Sequence, residues 1–131
     1  MEDNRDDLVV IVAGYENLME KFIASNPGLE SRFNRYFIFE DYTGEQLYLI
    51  FKSMCDKNQY VMNEEADAYA REHFNDLYEQ RDENFGYARD VRNVFENVIS
   101  IHSDRVAQFD APTKDDLMTI VKADIEAAAM M

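Results

Sequence analysis

Glycine and proline are scarce, four and two in a chain of 131 residues, too few for a long flexible linker. A single cysteine, Cys55, excludes a disulfide framework within the chain, and no CxxC or HExxH spacing suggests a metal site. Cys55 reads instead as a reduced, buried thiol. Bases are few as well, 13 against 27 acids, giving a formal net charge of −14. Such a surface repels phosphate backbones and anionic lipid at physiological salt, which argues against nucleic acid and membrane as partners. No apolar run approaches the ~20 residues of a membrane span. The opening MEDNRDD is the opposite of a secretory signal's cationic start, so the chain reads as cytoplasmic.

What is present suits a folded soluble protein: 47% hydrophobic residues, with nine Phe and eight Tyr. Leu8 to Ala13, LVVIVA closed by Gly14, is a short β-branched run that predicts a strand buried on both faces. Leu18, Met19, Phe22 and Ile23 then fall at helical spacing before Asn26-Pro27-Gly28 punctuates the chain, and Tyr36 to Phe39 is a second candidate strand.

From Asp41 onward the pattern is helical throughout. Thr43 and Gln46 form a capping-box signature ahead of a stripe of Leu47, Ile50, Phe51, Met54 and Cys55. A second helix starts near Asn63 and carries Ala66, Ala70, Phe74 and Leu77 on one face. A third carries Ala88, Val91, Phe95, Val98 and His102 after the polar loop 79–84. Pro112 breaks the pattern. A fourth helix, capped by Thr113 with Asp115 and Asp116 in its first turn, is expected to bury Leu117, Ile120, Val121 and Ile125, with 127–131 fraying. The fold class is thus α+β but mostly α: two strands and a helix through about residue 41, then a bundle of about four helices over 42–131. His73 and His102 lie on apolar helical stripes without paired ligands, which favours structural roles over metal binding.

Four of the eight arginines form two tight pairs, Arg32 with Arg35 and Arg89 with Arg92. The first pair follows a turn, where it could meet a ligand or simply answer Glu30 and Glu40. The second is less easily explained by surface charge. Helix N-termini carry about half a positive charge, so a cation in the first turn loses ~0.3–1 kcal/mol. An anion held between the arginines and free amides would offset this, as would Asp90 or Glu96.

Three segments, MEDNRDDLVVIVAGY (1–15), NPGLESRFNRY (26–36) and FGYARDVRNVFE (85–96), resemble the AAA+ ATPases of the CbbX/CfxQ/SpoVK group, in the order that group shows them. The resemblance implies that residues 1–41 are the C-terminal part of an AAA+ α/β core, with Leu8 to Ala13 leading to the sensor 1 position. It implies that 42–131 are the helical lid. It further implies that Arg32 matches the arginine finger, Arg35 the second arginine of that motif, and Arg89 the sensor 2 arginine. The resemblance also implies that Tyr15 takes the sensor 1 position, where many AAA+ proteins have Asn or Thr. In such proteins ATP with magnesium lies between ring subunits, the finger reaching it from the neighbour. The partners implied are the upstream half of the module and the adjacent subunits.

The sequence contains no GxxxxGK[ST] loop to cradle phosphates and no acidic Walker B strand. The expectation is a polypeptide that neither binds ATP tightly nor hydrolyses it alone. Its two strands should also lack the strand that separates them in the family's sheet, leaving edges that favour self-association, rearrangement or poor ordering of the first forty residues, while the lid from Asp41 onward folds normally. A stand-alone helical interaction module without nucleotide chemistry is the competing expectation.

Overall fold

The computed structural model describes residues 8–131; the MEDNRDD opening, part of the first family-like segment, lies outside them. The chain divides into two units, the first running through Glu40 and the second spanning Asp41–Met131.

The first unit contains α1 (Glu16–Ala24) and α2 (Pro27–Arg32). Asn26 does more than punctuate: its side chain accepts from the Gly28 amide at 2.8 Å and caps α2, with Pro27 at the first helical position, where its missing N–H costs nothing. Neither Leu8–Ala13 nor Tyr36–Phe39 forms a strand. A strand needs ladder partners for its amides and carbonyls, and the described residues of this unit offer none. The β-branched run is accordingly open to solvent, with Val9 and Ile11 each 84% exposed, and no described residue of the unit is buried.

The second unit is a helical bundle: α3 (Gly44–Lys57), α4 (Glu64–Glu79), α5 (Ala88–Val106), α6 (Lys114–Met118) and α7 (Lys122–Ala129). The capping box before α3 forms as the sequence implied, Thr43 Oγ1 accepting from the Gln46 amide and Gln46 Oε1 from that of Thr43. Asn63 caps α4 by accepting from the Ala66 amide at 2.9 Å. The core joins Leu47, Phe51 and Cys55 of α3 to Ala70 and Phe74 of α4 and to Val91 and Val98 of α5. Phe51 lies at its centre, 5.1 Å from the Phe74 ring and 6.1 Å from that of Phe95. Burial pushes the Cys55 thiol up to about 12, with Asp56 adding to the shift, so the group stays a protonated apolar filler at neutral pH.

The expected fourth helix is divided. Thr113 and Asp116 cap α6, but the consecutive β-branched residues Thr119, Ile120 and Val121 leave the helix. Thr119–Ile120 becomes β2, which pairs in parallel with β1 (Val61–Met62), Val61 opposite Thr119 and Met62 opposite Ile120. The chain then re-enters α7. Ile120 and Ile125 are buried as expected, whereas Leu117, within α6, is 52% exposed. The tail does not fray at 127: α7 continues to Ala129, and Ala128 is only 3% exposed. Among the described residues no helix is long and apolar enough to cross a membrane.

Candidate functional site

The arginine-bearing end of α5 is built by the segment Phe85 to Arg92. Asp90 Oδ2 accepts from the Gly86 amide at 2.9 Å, which closes the turn into the helix. Glycine permits this approach, since a Cβ on residue 86 would stand 2.8 Å from Asp90 Oδ1. Asp90, one of the two acids that could have offset Arg89, is thus occupied by backbone. Arg89 is exposed in the first turn, and among the described residues its guanidinium takes no ion pair or hydrogen bond. Arg92, one turn along, is likewise unpaired among the described residues. It lines a groove of about 450 Å³ between α3 and α5, over Leu49, Ile50, Met54 and Phe95, with Lys57 also on its edge.

Tyr87, the residue before α5, has φ 47° and ψ −111°, a backbone conformation that L-residues rarely adopt. Conformations of this kind cost on the order of 1–3 kcal/mol and persist only where the surroundings enforce them. Two contacts do so here. The ring packs edge-on to Phe85 with centroids 4.7 Å apart, and the hydroxyl donates to Asp41 Oδ2 at 3.2 Å.

The other family-implied residues lie in the first unit. Tyr15 is the N-cap residue of α1, makes no side-chain capping bond and is exposed. Arg32 is the last residue of α2, where a cation suits the helix dipole, and its Nη1 donates to the Gly28 carbonyl at 3.1 Å. Arg35 is exposed in irregular chain beyond it. Arg89 and Arg92 thus share α5, whereas Arg32 ends α2 and Arg35 follows it in irregular chain.

Two polar clusters escaped the sequence reading. Arg105 grips Asp124 bidentately, Nε to Oδ1 at 2.9 Å and Nη2 to Oδ2 at 3.1 Å, and Nη2 also reaches the Thr119 carbonyl at 3.3 Å. Asp124 Oδ2 accepts in turn from the Val121 amide at 3.0 Å, so one carboxylate starts α7 and fastens it to α5. The available signal was an acid on the apolar stripe formed by Ile120, Val121, Ile125 and Ala128. In the second cluster the Tyr48 hydroxyl donates to Asp67, while Arg71 lies 4.2 Å over the Tyr48 ring and 3.4 Å from Asp67 Oδ2. Burial, then the Asp67 carboxylate, push the Tyr48 phenol up to about 12, so it remains a donor.

Both histidines are packed. His102 Nε2 stands 3.2 Å from the Asp116 carbonyl, with the ring edge-on to Tyr60. His73 stacks parallel to Tyr69, and its Nε2 is buried without a hydrogen-bond partner among the described residues. Among the described residues no group of three His, Cys, Asp or Glu gathers in a way that could hold a metal ion.

The family model for the AAA lid domain matches residues 43–131, which is the helical bundle almost in full. The chain is 41% identical to the chloroplastic ribulose bisphosphate carboxylase/oxygenase activase of Cyanidioschyzon merolae, over 95% of this chain and 43% of that protein. It is 36% identical to protein CbbX of Cereibacter sphaeroides, over 98% of this chain and 41% of the relative. Stage V sporulation protein K of Bacillus subtilis is also 36% identical, over 95% and 39%. The chain therefore spans less than half the length of these relatives. With the lid model covering its bundle and these relatives matching nearly its whole length, the chain belongs to the AAA+ group of CbbX, CfxQ and stage V sporulation protein K and carries that group's lid domain.

Proposed function

We propose that this chain is the C-terminal portion of an AAA+ ATPase that uses ATP turnover to remodel another protein, and that its arginines act on a nucleotide held mainly by other parts of the module. The observation that supports this most strongly is Arg89. It sits in the first turn of α5 against the helix dipole, its neighbour Asp90 is taken up by the Gly86 amide, and among the described residues no carboxylate answers it. A guanidinium so placed suits a phosphate oxygen, to which it presents planar, permanently charged donors.

The donor set fits ATP in part. Arg89 supplies a sensor 2 contact from the lid, and Arg32 with Arg35 supplies the finger pair, which in a ring of subunits serves the neighbour's nucleotide. Tyr15 takes the sensor 1 position, with a phenol where a shorter amide or hydroxyl is usual. The sequence has no phosphate-cradling glycine-rich loop with its lysine, so gripping the nucleotide and its magnesium falls to a partner segment. ATP, when bound, supplies the phosphoryl group whose developing charge such arginines stabilise. The part of this chain is to orient and to neutralise.

Arg89→Ala, introduced with the upstream half of the module present, is expected to weaken nucleotide binding about tenfold, as suits loss of a charge-assisted contact. Titration with a fluorescent ATP analogue measures it. Unaltered affinity and turnover would return Arg89 to an ordinary surface charge.

A further inference from the structure

Tyr87 is strained, lies two residues before Arg89, and is bonded to the residue with which the helical unit begins. Asp41 is the first residue of that unit, and the chain before it belongs to the other one. The Tyr87 hydroxyl reaches back 46 residues to the Asp41 carboxylate. The same residue's carbonyl accepts from the Val91 amide at 3.0 Å, and the Gly86 carbonyl accepts from the Arg89 amide at 2.9 Å, so the conformation of Tyr87 fixes how the first turn of α5 leaves the loop. A backbone held at φ 47° relaxes when its side-chain restraints are removed, and the turn that relaxes is the one carrying Arg89.

We infer that Tyr87 is the positioning residue for Arg89, and that its bond to Asp41 links the aim of that arginine to the point where the chain enters the lid. This rests on reading Arg89 as the nucleotide-contacting arginine. Occupancy by nucleotide, which constrains Arg89, then stabilises the Tyr87–Asp41 bond and stiffens the entry to the lid. By reciprocity, a change of chain direction at Asp41 alters nucleotide affinity.

The test uses the ATPase with its upstream half present. Tyr87→Phe removes the hydroxyl alone and Asp41→Ala removes its acceptor, while Asp41→Asn restores an acceptor without the charge. Tyr87→Phe and Asp41→Ala should each weaken nucleotide affinity about three- to tenfold, the scale of one ordinary solvent-exposed hydrogen bond. Together they should do no more than either alone, and Asp41→Asn should recover most of the loss. In an Arg89→Ala background Tyr87→Phe should have no further effect. Hydrogen exchange at the Arg89 and Val91 amides, measured on the same variants, should quicken in Tyr87→Phe and show that the rest of the lid stays folded.

An equal loss with and without Arg89 would overturn the proposal, because Tyr87 would then act by another route. So would faster exchange with unchanged affinity, which would leave Tyr87 a purely structural residue and the reading of Arg89 intact. If Arg89→Ala itself changes neither affinity nor turnover, the reading beneath the proposal fails and takes the proposal with it.

Discussion

Among single residues, His73 makes stability depend on pH in a definite direction. Burial lowers the pKa of its ring, with Asp76 pulling the other way, so the folded protein resists a proton that the unfolded chain accepts near pH 6.5. The unfolded state binds more protons below that pH. Stability is therefore full above about 6.5 and declines as pH falls toward the lowered folded value. His73→Phe should flatten thermal midpoints measured between about pH 7 and 5; an unchanged slope would show that the ring is not the cause. The Asp116 carboxyl is held below its ordinary range by the Thr113 amide and hydroxyl, so its contribution is lost only at more acid pH, and the two windows separate. Arg105 is a second site of consequence. Its partner Asp124 is 1% exposed, so Arg105→Ala strands a buried carboxylate and should cost about 3 kcal/mol in urea denaturation. The exposed Lys122–Glu126 pair should be worth about 0.5 kcal/mol or less. Equal effects from breaking either pair would contradict the importance given to burial.

At the level of helices and strands, the capping residues were readable and the short strands were not. Thr43 with Gln46 and Thr113 with Asp116 announce α3 and α6 because a cap is a local bond between residues three apart. β1 and β2 are two residues each, too short to show any period, and they exist because distant segments meet. Leu8–Ala13 errs in the opposite sense: its composition suits a strand, but a strand is a property of its neighbours, and the described residues supply none. Close packing of α3 on α4 leads to a further prediction. A Cβ on Gly44 would stand 2.8 Å from the Asn75 Cα, a backbone atom that cannot step aside cheaply. Alanine here gains helix propensity of at most ~1 kcal/mol but overpacks the crossing by about 1–3 kcal/mol. Gly44→Ala should therefore lower the denaturation midpoint, and a raised midpoint would mean that the two helices separate easily.

For the chain as a whole, the lid was legible in the sequence. The helical pattern beyond Asp41 and the motifs around Arg32 and Arg89 pointed to a lid and to arginines meant for a phosphate, and the lid-domain match to 43–131 accords with the first of these. Tyr87 gave no signal, because a strained backbone angle and a bond spanning 46 residues leave no trace in local spacing. The decisive measurement is ATP binding and steady-state hydrolysis by the ATPase with its upstream half present, compared with its Arg32→Ala variant. Unchanged nucleotide affinity with hydrolysis reduced by about 10³-fold or more is the predicted result. Retained turnover would contradict the account.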